Sequence, residues 1–132
     1  MNKRILVVDD SASWRRFHIG SIQTYFPNTF ETYQADCAHE GLKVVEDNKD
    51  KPFDIIISDL QMELNYEPDT AGEWLVKQIK FLPEYKNTKI IIISAMFNIE
   101  QLAKELNVEY LKKSTLAHSN LPLKLKIEEL TN

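Results

Sequence analysis

Apolar residues follow two rhythms along this chain. Near-continuous runs occupy 4–8, 53–58 and 89–93, with shorter and more polar runs at 30–35 and 108–111. Continuous β-branched runs suit strands covered on both faces of a parallel sheet. The more polar runs suit its edges. Between the runs, apolar residues recur at helical spacing. Trp14, Phe17, His18, Ser21, Ile22 and Tyr25 stripe 11–25, and Ala38, Leu42 and Val45 stripe about 37–48. Trp74, Leu75, Ile79 and Leu82 mark a helix over about 71–82, with Pro83 beyond its last apolar turn. Ile99, Leu102, Ala103 and Leu106 mark another, for which Asn98 is expected to cap and Gln101 to complete a capping box. The last, about 121–130, carries Pro122 in its first turn.

Strand and helix thus alternate five times. Short right-handed crossovers turn such a pattern into an α/β doubly wound (βα)5 sandwich, a five-stranded parallel sheet with helices on both faces. Residues 1–132 are expected to form one domain, with no linker and no output domain attached.

In a sheet of this kind ligands sit beyond the carboxyl ends of the strands. Those ends carry acids. The first strand runs into Asp9 and Asp10, and the third closes on Asp59. Ser94 follows Ile90–Ile93, and Lys113 follows Glu109-Tyr110-Leu111. Three converging carboxylates repel one another and call for a cation. Hard oxygen donors that leave room for water suit Mg2+. Lys113 and Ser94 are then placed to hold phosphoryl oxygens, and a carboxylate can itself be the nucleophile. Ser11 or Asp10 can also cap the first helix, and capping is the plain reading of the Asp9-Asp10 pair taken alone.

Composition narrows the partners. The net charge is −4, and no Lys/Arg block exceeds a pair, so a nucleic-acid groove is not expected. No apolar stretch reaches the roughly 20 residues of a membrane helix. Strand pattern begins within four residues of Met1, leaving no space for a signal peptide. A single cysteine, Cys37, fits a reducing cytoplasm.

Asp9-Asp10, Asp59, Ser94 and Lys113, each at the end of its own strand, resemble the receiver domain of bacterial response regulators. Ser11 after the acid pair, Met62 three beyond Asp59 and Tyr110 three before Lys113 extend the resemblance over essentially the whole chain. It implies the flavodoxin-like strand order 2-1-3-4-5. It implies that Asp59 accepts phosphate from a kinase phosphohistidine. Asp10, Asp59 and the Gln61 backbone carbonyl would ligate Mg2+, with Asp9 acting through a bound water. Ser94 and Lys113 would hold the phosphoryl group, and Tyr110 would be an aromatic switch. Expected partners are a histidine kinase or histidine phosphotransfer protein and a downstream protein target.

Three departures stand out. The loop from Leu60 to Ala71 is longer than is usual in the family, with Glu63 in place of a proline. Ser114 follows Lys113 where a proline is usual, which predicts a trans peptide and an altered path over 114–120. Met96, two beyond Ser94, is bulky and apolar, which predicts a long-lived phosphoryl group.

Elsewhere plain readings prevail. His18, Trp14 and Trp74 read as core or near-core, His39 and His118 as solvated, and Cys37 as an inert small residue. Tyr110 reads equally well as half-buried core. Leu121 and Leu125 lie off the main stripe of the last helix. They serve either extra core contact or docking, including a homodimer through the face of the fourth helix, fifth strand and last helix.

The function expected is a stand-alone phosphoacceptor signalling domain, not an enzyme with an external substrate. The alternatives are a phosphorelay intermediate or a Mg2+-dependent phosphatase working through an aspartyl phosphate. Adjacent acids, rather than Asp-x-Asp, count against the phosphatase. The three scattered glycines, Gly20, Gly41 and Gly72, form no phosphate-cradling loop for a flavin or nucleotide carrier.

Overall fold

Three runs of isoleucine and valine set the frame. The structure, a computed structural model, describes residues 2–62 and 69–132. Much of the enlarged loop, Glu63 included, lies outside the described residues. Strands β1 (Lys3–Val8), β2 (Phe30–Ala35), β3 (Ile55–Asp59), β4 (Lys89–Ser94) and β5 (Glu109–Lys112) form one sheet in the order β2-β1-β3-β4-β5. Every pairing is parallel. β1 and β4 are buried after their first residue and β3 throughout, whereas the edge strands β2 and β5 are mostly half-buried.

Side chains alternate across this sheet, and each face meets its own layer of helices. Leu6, Val8, Ile56, Ile90 and Ile92 face one core cluster. It also takes in residues of α2 (Ala38–Asp47), α3 (Ala71–Lys80) and α4 (Ile99–Leu106). Ile5, Val7, Ile55, Ile57, Ile91 and Ile93 face the other, with α1 (Ala12–Tyr25) and the last helix, α6 (Leu121–Thr131). Each fully buried Ile or Leu contributes roughly 1.5–3 kcal/mol relative to exposure. The central strands are therefore the most firmly held part of the molecule, and their carboxyl ends are fixed points.

Several details depart from the sequence expectation. β3 starts two residues late, because Asp54 leaves the strand to tie its start to β1. The Asp54 Oδ2 accepts from the Arg4 N–H at 2.8 Å, and the Asp54 N–H donates to the Arg4 carbonyl at 2.8 Å. A short helix, α5 (Lys113–Leu116), follows β5 directly, where irregular chain was expected. Asn98 precedes α4 but makes no side-chain cap, and Gln101 donates to Glu105 instead. Cys37 is more than filler: its Sγ accepts from the Glu40 N–H at 3.5 Å and caps α2. Leu121 and Leu125 are exposed, while Leu123 and Ile127 fill the core, so the second stripe of α6 faces solvent.

Candidate functional site

The acids do converge. Asp9 extends β1 by one rung, its N–H donating to the Ala35 carbonyl at 3.1 Å. Its Oδ1 accepts from the Ser11 N–H at 2.9 Å, and Ser11 in turn caps α1 through the Trp14 N–H. Asp10 is exposed beside it. Asp59, the last residue of β3, is 2% exposed. One carboxylate oxygen from each of Asp9, Asp10 and Asp59 falls within 4.8 Å of the others.

Among the described residues Asp59 has one cationic contact. Its Oδ2 accepts from Lys113 Nζ at 3.1 Å, and its Oδ1 from the Gln61 N–H at 3.3 Å. Burial, reinforced by the Asp9 carboxylate, pushes Asp59 from the usual 3.8 up to about 6, and Lys113 offsets only part of this. Asp9 is also raised, chiefly by burial. Its Oδ2 is buried and has no hydrogen-bond partner among the described residues. An orphaned anionic oxygen costs free energy unless a donor or a cation completes it. Three clustered carboxylates with one such oxygen fit a hard divalent cation.

The remaining residues named from sequence surround this cluster. Ser94 ends β4, nearly fully buried, and its Oγ accepts from the Met96 N–H at 3.0 Å. Lys113, not Lys112, turns toward the acids; it is the first residue of α5, and Lys112 is exposed. Tyr110 is half-buried, its ring packed on the core and its hydroxyl donating to Glu100 Oε1 at 3.2 Å, away from Ser94.

Three residues belong to the site that sequence reasoning passed over. Arg15, one helical turn beyond the Ser11 cap, donates from Nη1 to the Asp9 carbonyl at 2.8 Å and from Nε to Gln34 at 3.0 Å. An arginine one turn past a cap that follows two acids was the available signal. Gly72 presses against the backbone of Asp59 and Leu60. A Cβ there would lie 2.3 Å from the Asp59 carbonyl oxygen and 2.4 Å from Leu60 Cα, so only glycine fits. Trp14, read as near-core, sits with its ring centroid 5.2 Å from Lys113 Nζ.

No family model matches the chain. Solved structures do. The chemotaxis response regulator CheY4 of Vibrio cholerae superposes over 98% of this chain and 99% of its own, at 24% identity and a TM-score of 0.78. This is the response-regulator receiver fold. The phosphorylated cyanobacterial phytochrome response regulator RcpA gives a TM-score of 0.78 at 20% identity, over 98% of this chain and 93% of its own. The manganese-bound response regulator Rcp1 gives 0.68 at 22% identity, over 84% and 81%. At the carboxyl end of the sheet this chain carries its three acids, one lysine and one buried serine. Among the described residues no helix is long and apolar enough to cross a membrane.

Proposed function

We propose that the chain is a phosphoacceptor signalling domain in which Asp59 takes a phosphoryl group from a phosphohistidine. The observation that carries this reading is the pairing of a buried Asp59 with Lys113 Nζ at 3.1 Å beside an unpartnered Asp9 oxygen. It needs a nucleophile, a fixed positive charge and oxygen donors for a cation together, and all three lie within one cluster.

Mg2+ is the cation proposed, on Asp10, Asp59 and the Gln61 carbonyl with Asp9 acting through water, and when bound it neutralises phosphoryl oxygens. Support for a divalent ion comes from the acid cluster and from the manganese-bound relative of the same fold. An Asp59 carboxylate oxygen attacks phosphorus as the P–N bond to the donor imidazole breaks. The bonding pair leaves with the imidazole nitrogen. Lys113 keeps its ammonium beside the acceptor and moves from Asp59 to a phosphoryl oxygen. Ser94 Oγ, an acceptor from Met96 in this structure, retains its own proton for a phosphoryl oxygen. Tyr110, hydrogen-bonded outward to Glu100, is the proposed readout: inward movement would exchange that surface bond for contact near Ser94.

The donor proposed is a histidine kinase or a histidine phosphotransfer protein in the cytoplasm, and the output a protein contact rather than turnover of a substrate. Incubation with acetyl phosphate and Mg2+ should add one phosphoryl group by intact mass, and Asp59→Asn should not be labelled. Catalytic release of phosphate from small phosphoesters by the wild-type protein would instead favour a phosphatase.

A further inference from the structure

The hold on Lys113 is incomplete if Asp59 is its only partner. Lys113 is 22% exposed and among the described residues makes one ion pair, on a stem with several rotatable bonds. Once Asp59 is esterified by phosphate, that pair changes character and the ammonium must be kept in place by something else.

A second contact is present. Trp14 offers its ring to Lys113 Nζ at 5.2 Å from the centroid, within cation–π range. The indole is itself braced. His18, one turn along α1, stacks on it at 5.7 Å with 27° between the planes. Phe17 meets both rings edge-on, at 5.4 Å and 78° to Trp14 and 5.4 Å and 75° to His18. His18 is 1% exposed, and neither ring nitrogen has a hydrogen-bond partner among the described residues. A buried imidazole that forgoes both of its polar contacts is acting as an aromatic plate. Burial, with Lys113 nearby, holds it neutral by pushing it down to about 4, so it does not repel the ammonium.

We propose that Trp14, braced by His18, is a positioning residue that holds the Lys113 ammonium over the acceptor through its indole face. This deepens the phosphoacceptor reading and rests on it. Trp14 touches neither acid nor phosphate in this scheme and acts only through Lys113.

The test has two arms. In the first, acetyl phosphate with Mg2+ is the donor, so that no protein docking on α1 enters. Trp14→Leu should slow labelling of Asp59 by roughly threefold to thirtyfold, the range a cation–π contact spans from exposed to desolvated. Trp14→Phe, which keeps a π face, should recover most of the rate. Equal rates in the wild type and Trp14→Leu would overturn the proposal. So would equal losses in the Leu and Phe variants, the pattern of a packing role. In the second arm, Trp74→Phe leaves Trp14 as the only indole, and Lys113→Met removes the charge while keeping the stem. The Trp14 emission should change with that charge, and superimposable spectra would overturn the contact. Failure of the wild type to take phosphate would sink the phosphoacceptor reading alone, since the emission arm needs no phosphoryl group.

Discussion

Replacing Asp59 by asparagine should stabilise the metal-free protein at neutral pH. Asp59 holds its proton up to about 6 when folded, against the usual 3.8. Below pH 3.8 the folded and unfolded chains both carry the proton, and the residue is neutral to stability. Between 3.8 and about 6 only the folded chain keeps it, so stability falls as pH rises through that window. Above about 6 the full cost is present. At about 1.4 kcal/mol per tenfold change in proton affinity, that cost is about 3 kcal/mol. The value is net of Lys113, whose attraction already lowers it. Asparagine is nearly isosteric and carries no charge beside Asp9. Lys113, 22% exposed, keeps access to water when its partner is lost. For a domain of this size about 3 kcal/mol corresponds to roughly 10 °C in Tm. Urea unfolding in EDTA, followed by circular dichroism across pH 4 to 8, measures it. His18 works in the opposite sense: its depressed value, about 4, withdraws stability as pH falls below 6.5. The wild-type curve therefore mixes the slopes of Asp59, His18 and the raised Asp9, and the difference between wild type and Asp59→Asn removes those that the two proteins share. A difference that is flat across pH 4 to 6, or an Asn variant no more stable than wild type at pH 7, would refute the reasoning. Saturating Mg2+ should narrow the gap by stabilising the wild type more.

Gly72→Ala places a methyl against the Asp59 carbonyl and Leu60 Cα, so α3 must shift, and a loss of about 2 kcal/mol or more in urea unfolding is expected together with weakened phosphate acceptance. Tyr85→Phe removes a buried hydroxyl that donates to the Val45 carbonyl at 2.8 Å, and should cost about 1–2 kcal/mol without altering the acidic cluster. Leu125→Ser, at a position 53% exposed, should change stability by less than about 0.5 kcal/mol, and a larger loss by thermal denaturation would place Leu125 in the core.

What could be read in advance follows from where each signal lives. β1, β3 and β4 are written in consecutive residues that are all buried, so their pattern survives without tertiary information, and the acids are legible because they terminate those runs. Lys113 was legible through the resemblance, whose register selects it over Lys112. Trp14 was not. A tryptophan on the apolar stripe of a helix reads as core, and only the arrival of a lysine nearly a hundred residues later gives its face a charge to meet. The Asn98 cap failed for a related reason. Asparagine before an apolar stripe signals a cap only in extended backbone, and Asn98 sits at φ −95° and ψ 19°. The outward Tyr110 hydroxyl depends on Glu100, a partner on another element that no local pattern reveals.

Leu60 and Gly72 are tied together, the Gly72 N–H donating to the Leu60 carbonyl at 2.9 Å, while the Leu60 N–H donates to Ile93 at 3.1 Å. That clasp closes the base of the segment between them. Chain added beyond Gln61, which itself donates to Asp59, costs only loop entropy above that closed base, about 0.6 kcal/mol per doubling. An evolving sequence can therefore change the length of the chain beyond Gln61 while the clasp beneath Asp59 stays as it is, and an engineer can use the same ground to graft a recognition peptide.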